Sequence, residues 1–578
     1  MTTQHIQRFY LTTIESVTDV SAPEIRSHGT LCLTRCLESF YIHWCPLEST
    51  PIQRISAIFQ STKPPSDDNW NPGQSFIFNC VDAAFIELKE NPLQIVIYRT
   101  DQPVPRVFLI EESEYSSLAQ FIEQLLINGI AVPGTNYQYC LEIYHQAYKS
   151  IFSFTPPHIQ LRVSQYKGLE TFWNEVHQFY EKLIIQLDKS DTLPTDNEFP
   201  LATAARASHA RVISQKVDKY IETIPKYTKI SKSEFPSLFD DKGVIKDPEN
   251  FKKRLYHEGA DYELLSSLLP FVFGLYPINS TKADREKIDK DIAKETDTLL
   301  TMTEAKQQEQ IQKNKKITET YRVINNDILR TDRHLKPFKN VKGIGSTILT
   351  NFLKMFTVLY PPLGYLQGMN DLFVPIILSY IPEWSDDSSP LDSNGQLLDY
   401  KPFLPKIFWC FEAMLRNTNQ LELLAHITEY CQQQAEVIHQ LLTRVSPIAA
   451  IWMRRRGMKG LLWCYSDFVL LFKRTFDDVW PTWLQMNCSP NPSRWLAYFM
   501  CSIIIAGFDQ LTRLHDVTIT VMMDAYPKIL ASLDRKKISQ IALWLVEVAP
   551  IDPVVQQEDT NVRTKFKYFR PSWGEREP

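Results

Sequence analysis

The sequence lacks the features that mark secreted and membrane-spanning proteins. Its ten cysteines are scattered without a paired framework, which is typical of a reducing compartment. The stretch MTTQHIQRFYLTTI has no basic end followed by an apolar core, so we expect no signal peptide. The longest apolar run, Trp495 to Phe508, is too short to cross a bilayer and is typical of a buried helix. These absences predict a cytoplasmic protein whose membrane contacts are peripheral.

The sequence also lacks a strong charge of one sign and the common motifs for nucleotide or metal chemistry. A net charge of −5 and a pI of about 6.2 argue against nucleic acid as the main partner. The nearest approach to a phosphate-binding loop, VKGIGST at 341–347, has its lysine before the glycines and no strand ahead of it. No H-E-x-x-H, G-x-S-x-G or protein-kinase motif occurs. We therefore expect no cofactor or metal of its own.

The first recognisable feature along the sequence is a β-rich segment. Five runs of aromatic and β-branched residues predict strands, at 40–44, 76–80, 83–88, 93–99 and 106–110. The segment 113–130 then places Leu118, Phe121, Ile122 and Leu125 on one helical stripe, with Gly129 as its C-terminal cap. Several strands closed by one amphipathic helix resemble a pleckstrin-homology-like domain, which we assign to residues 1–150. Few lysines lie on the strands, so we expect this domain to bind protein rather than phosphoinositide.

The remaining chain reads as a helical extension and linker at 151–244, an all-α domain at 245–550 and a disordered tail at 551–578. Residues 131–185 are expected to be irregular apart from one helix, and the polar stretch 187–208 is expected to be a flexible linker. A charged pattern without proline or glycine predicts one continuous helix over 283–330. The predicted fold is therefore multidomain, with a β-rich domain followed by an all-α domain.

A first candidate site segment reads Ile324-x-x-Asp327-x-x-Arg330-Thr331. The spacing of three predicts that these side chains lie along one side of a helix, with Ile324 anchoring that side to a core. Asp327, one turn before Arg330, is near enough to orient its guanidinium. An arginine oriented in this way can present a planar, permanently charged group to an anion. The alternative is that Arg330 only pairs with an aspartate on a solvated helix, which for an isolated D-x-x-R is the more common case.

A second candidate segment reads Tyr365-x-Gln367-Gly368-Met369-Asn370 and follows two prolines. The prolines end any preceding helix, and Gly368 permits close backbone approach, so Gln367 is expected at a turn that leads into an apolar helix. A glutamine side chain there can both donate to and accept from a water molecule. The alternative is a surface glutamine without a role.

The two segments in this order, with Gln367 following Arg330 by 37 residues, resemble the core of the TBC domains, which are GTPase-activating proteins for Rab GTPases. The resemblance implies that Arg330 is an arginine finger and Gln367 a glutamine finger. It assigns supporting positions to six further residues: Ile324, Asp327, Thr331, Tyr365, Gly368 and Met369. It also implies a Rab partner that carries the GTP and Mg²⁺, and the domain layout is similar to a subgroup acting on Rabs of late endosomes, lysosomes and vacuoles.

The chain departs from the family pattern at three positions. The family usually has an R-x-x-x-W pair where, in our alignment, this chain has Leu265 and Leu269, and an arginine where it has Ser466. Because the missing arginine normally supports the site, either another residue substitutes for it or the activity is weakened. The rival hypothesis is therefore a catalytically silent Rab-binding adaptor that retains the fold. The presence of Arg330 and Gln367 favours the GTPase-activating function.

Overall fold

The structure is a computed structural model that describes most of the chain. The described residues are 8–36, 39–47, 70–134, 139–143, 159–161, 166–189, 201–311, 315–361, 363–514 and 518–553. The tail predicted at 551–578 therefore lies almost wholly outside the described residues, as does the middle of the predicted linker.

The N-terminal region is a β-sheet domain. Its strands are β1 (Arg8–Ala22), β2 (Ile25–Cys36), β3 (Ser39–Pro46), β4 (Phe76–Asn79), β5 (Ala83–Lys89), β6 (Gln94–Arg99), β7 (Arg106–Ile110), β8 (Ala131–Pro133) and β9 (Cys140–Ile143). They form one sheet in the order β4-β3-β2-β1-β7-β6-β5-β9-β8, and each recorded pairing is antiparallel. A short antiparallel pair, β10 (Glu383–Trp384) and β11 (Pro390–Leu391), lies in the C-terminal region.

The helices account for most of the remaining described chain. The first group is α1 (Tyr115–Ile127), α2 (Leu169–Lys189), α3 (Leu201–Val212), α4 (Asp218–Thr223), α5 (Pro248–His257), α6 (Leu265–Val272), α7 (Lys282–Ile311), α8 (Lys315–Ile328), α9 (Lys336–Lys339) and α10 (Ile344–Leu359). The second group is α11 (Met369–Tyr380), α12 (Leu404–Asn417), α13 (Gln420–Ala425), α14 (Ile427–Val445), α15 (Pro447–Arg455), α16 (Tyr465–Leu470), α17 (Trp480–Cys488), α18 (Trp495–Ala506), α19 (Phe508–Thr512), α20 (Ile519–Ser532) and α21 (Arg535–Val548).

The chain divides into two compact units that do not follow the order of the sequence. Unit 1 takes residues 1–219, 442–459 and 508–515, and unit 2 takes the rest. In unit 1, helix α1 packs on β1, and the predicted stripe of Leu118, Phe121, Ile122 and Leu125 is buried. The predicted order of strands followed by one amphipathic helix is confirmed. Gly129 follows the end of α1 with φ +64°, as a C-terminal cap requires.

Unit 1 also contains helices from distant parts of the sequence. Helices α2 and α3 pack against α15, and α3 packs against α19. Asp188 on α2 forms ion pairs with Arg454 and with Arg455, whose Nε lies 2.9 Å from the carboxylate. His209 Nδ1 and the buried hydroxyl of Ser446 lie 3.1 Å apart. Two predictions are wrong in part. Residues 201–208 of the predicted linker form the start of α3. The segment after residue 130, predicted to be irregular, contains β8 and β9, which extend the sheet beside β5.

Unit 2 is helical and is built around a cluster of phenylalanine rings. Phe352 on α10, Phe373 on α11 and Phe411 on α12 are buried, and the rings of Phe373 and Phe411 are stacked with centroids 3.5 Å apart. Helix α18 buries its residues from Trp495 through Ile505, which confirms the predicted buried helix. Across the described residues, no helix combines the length and apolarity needed to span a membrane. The ring cluster supports α11, whose first residue directly follows the Gln367-Gly368 turn.

The predicted continuous helix over 283–330 is wrong at its C-terminal end. Helix α7 is described to Ile311, and α8 begins at Lys315 and ends at Ile328. Arg330 follows in a turn, in which its amide N–H donates to the Asp327 carbonyl over 3.0 Å. The physical reason is local: Thr331 and Asp332 turn the chain away, and Asp332 has φ +36°, which a helix cannot accommodate. Arg330 therefore projects from a helix end rather than from a helix face.

Candidate functional site

The Arg330 side chain lies on the surface and is oriented by a buried carboxylate. Its side chain is 57% exposed, whereas that of Asp327 is only 3% exposed. Asp327 Oδ1 accepts from Arg330 Nε over 3.0 Å and from Nη2 over 2.6 Å. The hydrogen bond to Asp327 raises the pKa of the Arg330 guanidinium, so the group stays charged. Because Nε and Nη2 face Asp327, the remaining edge of the guanidinium can face a partner.

The second oxygen of Asp327 is bound by the other candidate segment. Tyr365 Oη donates to Asp327 Oδ2 over 2.6 Å, so one carboxylate contacts both segments. Burial, followed by the adjacent Asp327, raises the pKa of Tyr365 far above its usual value, and its hydroxyl therefore remains a donor. Ile324, also predicted as a supporting residue, is fully buried on α8 and fixes the end of that helix.

Gln367 occupies the turn that precedes α11, as the sequence predicts. It is exposed, while Gly368 and Met369 on either side of the helix start are buried. Gly368 has φ +106°, a conformation that favours glycine, and the Met369 amide N–H donates to the Leu366 carbonyl over 3.1 Å. The Leu366 amide N–H in turn lies 3.4 Å from Met369 Sδ. The backbone on both sides of Gln367 is therefore fixed, while its side chain extends into solvent.

A further polar link joins the two segments and was not predicted from the sequence. Asn370 Nδ2 donates to Thr331 Oγ1 over 2.8 Å, and the Thr331 hydroxyl donates to the Asp327 carbonyl over 2.7 Å. Asn370 Oδ1 also lies 3.1 Å from Tyr365 Oη. Both Asn370 and Thr331 are 2% exposed. The only sequence signal for Asn370 is its place directly after Met369, since one sequence does not show which polar residue a buried network will use.

The three departures from the family pattern occupy two kinds of environment. Leu265 and Leu269 lie on α6 and are 3% and 0% exposed, so they contribute to the apolar core of unit 2. Ser466 lies exposed near the start of α16. The hydrogen bonds of Arg330, Asp327 and Tyr365 are present without an arginine at any of these positions.

We expect Gly368→Ala to lower the free energy of unfolding by about 1–3 kcal/mol, the cost of a non-glycine residue in this backbone region. An added Cβ would also meet Leu470 Cδ2 at 2.8 Å. The measurement is denaturant unfolding of the full chain. Gly364→Ala is the matched control, because Gly364 has φ +66° but nothing lies within 4 Å of an added Cβ. Equal losses in the two variants would contradict the role of the Leu470 contact.

Part of the chain is similar to known proteins. Residues 279–481 match the family model of the Rab-GTPase-TBC domain. Human TBC1 domain family member 16 is 23% identical over 287 residues, which cover 48% of this chain and 34% of that protein. GTPase-activating protein GYP7 of Candida glabrata is 22% identical over 310 residues, covering 48% and 37%. The mouse TBC1 domain family member 25 is 26% identical over 308 residues, covering 50% and 37%. The chain thus spans about a third of the length of these relatives.

Among solved structures, the crystal structure of the Ypt/Rab-GAP domain of Gyp1p aligns with 18% identity and a TM-score of 0.43, covering 55% of this chain and 95% of that one. The matched family range contains both candidate segments. Residues 279–481, which include Arg330 and Gln367, therefore match the Rab-GTPase-TBC domain family.

Proposed function

We propose that this protein accelerates GTP hydrolysis on a Rab-family GTPase by supplying Arg330 and Gln367 in trans. The observation that carries the proposal is that both side chains are exposed, although Arg330 is held by the buried Asp327 and Gln367 lies two residues after Tyr365, which binds the same carboxylate. Side chains that must enter another protein's active site need to be exposed while the backbone that carries them is held in place. The matched family domain and the relatives named GTPase-activating proteins support the same proposal.

In this mechanism the Rab carries the GTP and Mg²⁺, and the present chain supplies no cofactor. Phosphoryl transfer of this kind depends on positioning and electrostatic stabilisation rather than on covalent chemistry by the protein. Arg330 neutralises the charge that develops on the transferred phosphoryl group. Gln367 orients the attacking water through its amide, which can donate and accept at once. Tyr365 and Asp327 keep the guanidinium oriented before the partner arrives, which reduces the ordering cost of the encounter.

The test is single-turnover phosphate release from a panel of GTP-loaded Rabs mixed with the full chain. We expect stimulation of at least one Rab, and we propose that it belongs to the late-endosomal, lysosomal or vacuolar group. Pull-downs run on the same panel separate the alternative. Binding to GTP-loaded Rabs without stimulation of any of them would favour a silent adaptor, and neither binding nor stimulation would contradict both functions.

For localisation, we propose a cytoplasmic protein that associates peripherally with endosomal or vesicle membranes, with the β-sheet domain as a protein-binding module. Imaging of the tagged full chain should show punctate signal that overlaps its substrate Rab. Expression of a GTP-locked form of that Rab should increase the punctate fraction, because Rab GTPases are themselves membrane-attached in their GTP-bound form. A signal that stays diffuse in both conditions would contradict the proposal.

A further inference from the structure

The loop after α16 carries two successive cations, and each contacts a different segment of the candidate site. Lys473 Nζ forms an ion pair with the carboxylate of Asp332, two residues after Arg330. Arg474 Nη2 lies 2.5 Å from Asp371 Oδ2, four residues after Gln367. One short piece of chain therefore reaches the segments of both proposed fingers.

Both contacts include a buried carboxylate, which makes them matter more than ordinary surface ion pairs. The side chains of Lys473 and Asp332 are each 14% exposed, whereas the 3% exposed Asp371 pairs with Arg474, whose side chain is 61% exposed. Removing one partner of a largely buried pair leaves an uncompensated charge, which is far more disruptive than the loss of an exposed pair. Burial raises the pKa of Asp371, and the neighbouring Arg474 opposes that rise. Each carboxylate is thus paired with one cation of the loop.

The loop itself is rigidly placed by its backbone and its neighbours. Leu471 and Phe472 have φ +46° and +63°, a left-handed conformation that persists only where the surroundings enforce it. The buried Trp483 indole N–H donates to the Leu471 carbonyl over 3.0 Å, and the Phe472 ring stacks on Phe476. Leu470, just before this turn, is the residue whose side chain an added Cβ at Gly368 would meet. The strained turn therefore holds the backbone of Lys473 and Arg474 in place, so that their side chains reach Asp332 and Asp371.

From these contacts we propose that Lys473 and Arg474 are positioning residues that keep the Arg330 segment and the Gln367 segment at a fixed separation. The inference rests on the proposed function, since a fixed separation serves two side chains that act on one reacting phosphoryl group. Neither cation needs to contact the nucleotide. Each acts through the carboxylate of a finger segment, Asp332 for Arg330 and Asp371 for Gln367.

The first test is steady-state kinetics of Lys473→Met and Arg474→Gln on a stimulated Rab. We expect kcat to fall about 10- to 100-fold, because a displacement of about 1 Å can cost two orders of magnitude, while KM for the Rab stays within about twofold. The matched controls are Lys528→Met and Arg322→Gln, whose ion pairs with Asp524 and Glu319 are exposed and lie within one helix. A raised KM with unchanged kcat would overturn the proposal in favour of direct contact with the Rab.

A conservative substitution and a double-mutant cycle distinguish loss of the ion pair from a general loss of folding. Arg474→Lys should recover most of the activity that Arg474→Gln loses, because a point charge is sufficient for a single ion pair. Combining Arg474→Gln with Asp371→Asn should lose no more activity than the worse single variant, since both remove the same contact. Losses that multiply in the double variant would overturn the assignment of Arg474 to Asp371.

A third measurement does not depend on any Rab. Backbone hydrogen exchange should become faster at residues 329–334 in Lys473→Met and at 366–372 in Arg474→Gln, because local opening becomes easier when each ion pair is lost. Unchanged exchange in both variants overturns the proposed contacts, even if the wild-type protein activates a Rab. Faster exchange in a protein whose wild type stimulates no Rab would instead confirm the ion pairs while overturning their proposed role in catalysis.

Discussion

Arg330→Ala is expected to reduce stimulated GTP hydrolysis about 10³- to 10⁵-fold, the range for an arginine finger supplied in trans. At about 1.36 kcal/mol per decade, this loss corresponds to roughly 4–7 kcal/mol of transition-state stabilisation. Single-turnover phosphate release on a responsive Rab measures it. The fold should remain intact, because the Arg330 side chain is 57% exposed and belongs to no core.

Two further variants sharpen this result. Arg330→Lys should not restore activity, because an ammonium group cannot reproduce the planar guanidinium that binds Asp327 and a phosphoryl oxygen together. Arg322→Ala is the matched control, since Arg322 is an exposed arginine on α8 that pairs with Glu319 three residues away. Near-normal activity of Arg330→Ala, or an equal loss in Arg322→Ala, would show that Arg330 is not the finger.

Gln367→Ala is expected to lower stimulation about 10²- to 10³-fold, by analogy with the loss of one hydrogen-bonding group that acts on a transition state. The reason is that Gln367, rather than the Rab's own glutamine, is proposed to orient the attacking water. A Rab whose switch glutamine is changed to leucine should therefore still be stimulated by the wild-type chain. Phosphate release for the four combinations of wild-type and changed proteins measures both statements. Gln433→Ala, which changes an exposed glutamine on α14, is the control.

The four combinations also distinguish the rival hypotheses. Stimulation that requires the Rab glutamine and tolerates Gln367→Ala would make Gln367 a structural turn residue. Rab binding without stimulation in all four combinations would indicate an adaptor. The buried positions of Leu265 and Leu269 do not by themselves favour the adaptor, because the Arg330–Asp327–Tyr365 contacts are complete without them.

The sequence predicted local structure well where one physical signal dominated. The stripe on α1 and the glycine before α11 each depend on a period or a backbone conformation that residue type reveals. Strand β1 was missed because part of its buried face is polar. Thr12 and Thr18 are 5% and 7% exposed, and the fully buried Asp19 pairs with Arg106 of β7. From the sequence alone, an aspartate such as Asp19 indicates a turn rather than a strand, because its distant partner is not known.

In the candidate site, too, local features were predicted and contacts between distant residues were not. The proximity of Asp327 to Arg330 followed from a spacing of three, and the exposed turn at Gln367 followed from its prolines and glycine. The Asn370–Thr331 bond and the ion pairs of Lys473 and Arg474 could not be predicted, because each joins residues from 39 to more than a hundred positions apart. Residue types show which groups can pair, whereas the fold decides which of them meet.

The composition of unit 1 has a consequence for the synthesis of the chain. Unit 1 combines residues 1–219 with residues 442–459 and 508–515, so it is incomplete until these later segments have left the ribosome. Trp452 on α15 is fully buried there, against the ring of Phe508. During translation, helices α2 and α3 therefore lack the packing partners that α15 and α19 later provide. Ribosome-stalled chains ending before residue 440 should expose protease sites in 166–189 and 201–219 that the released protein protects.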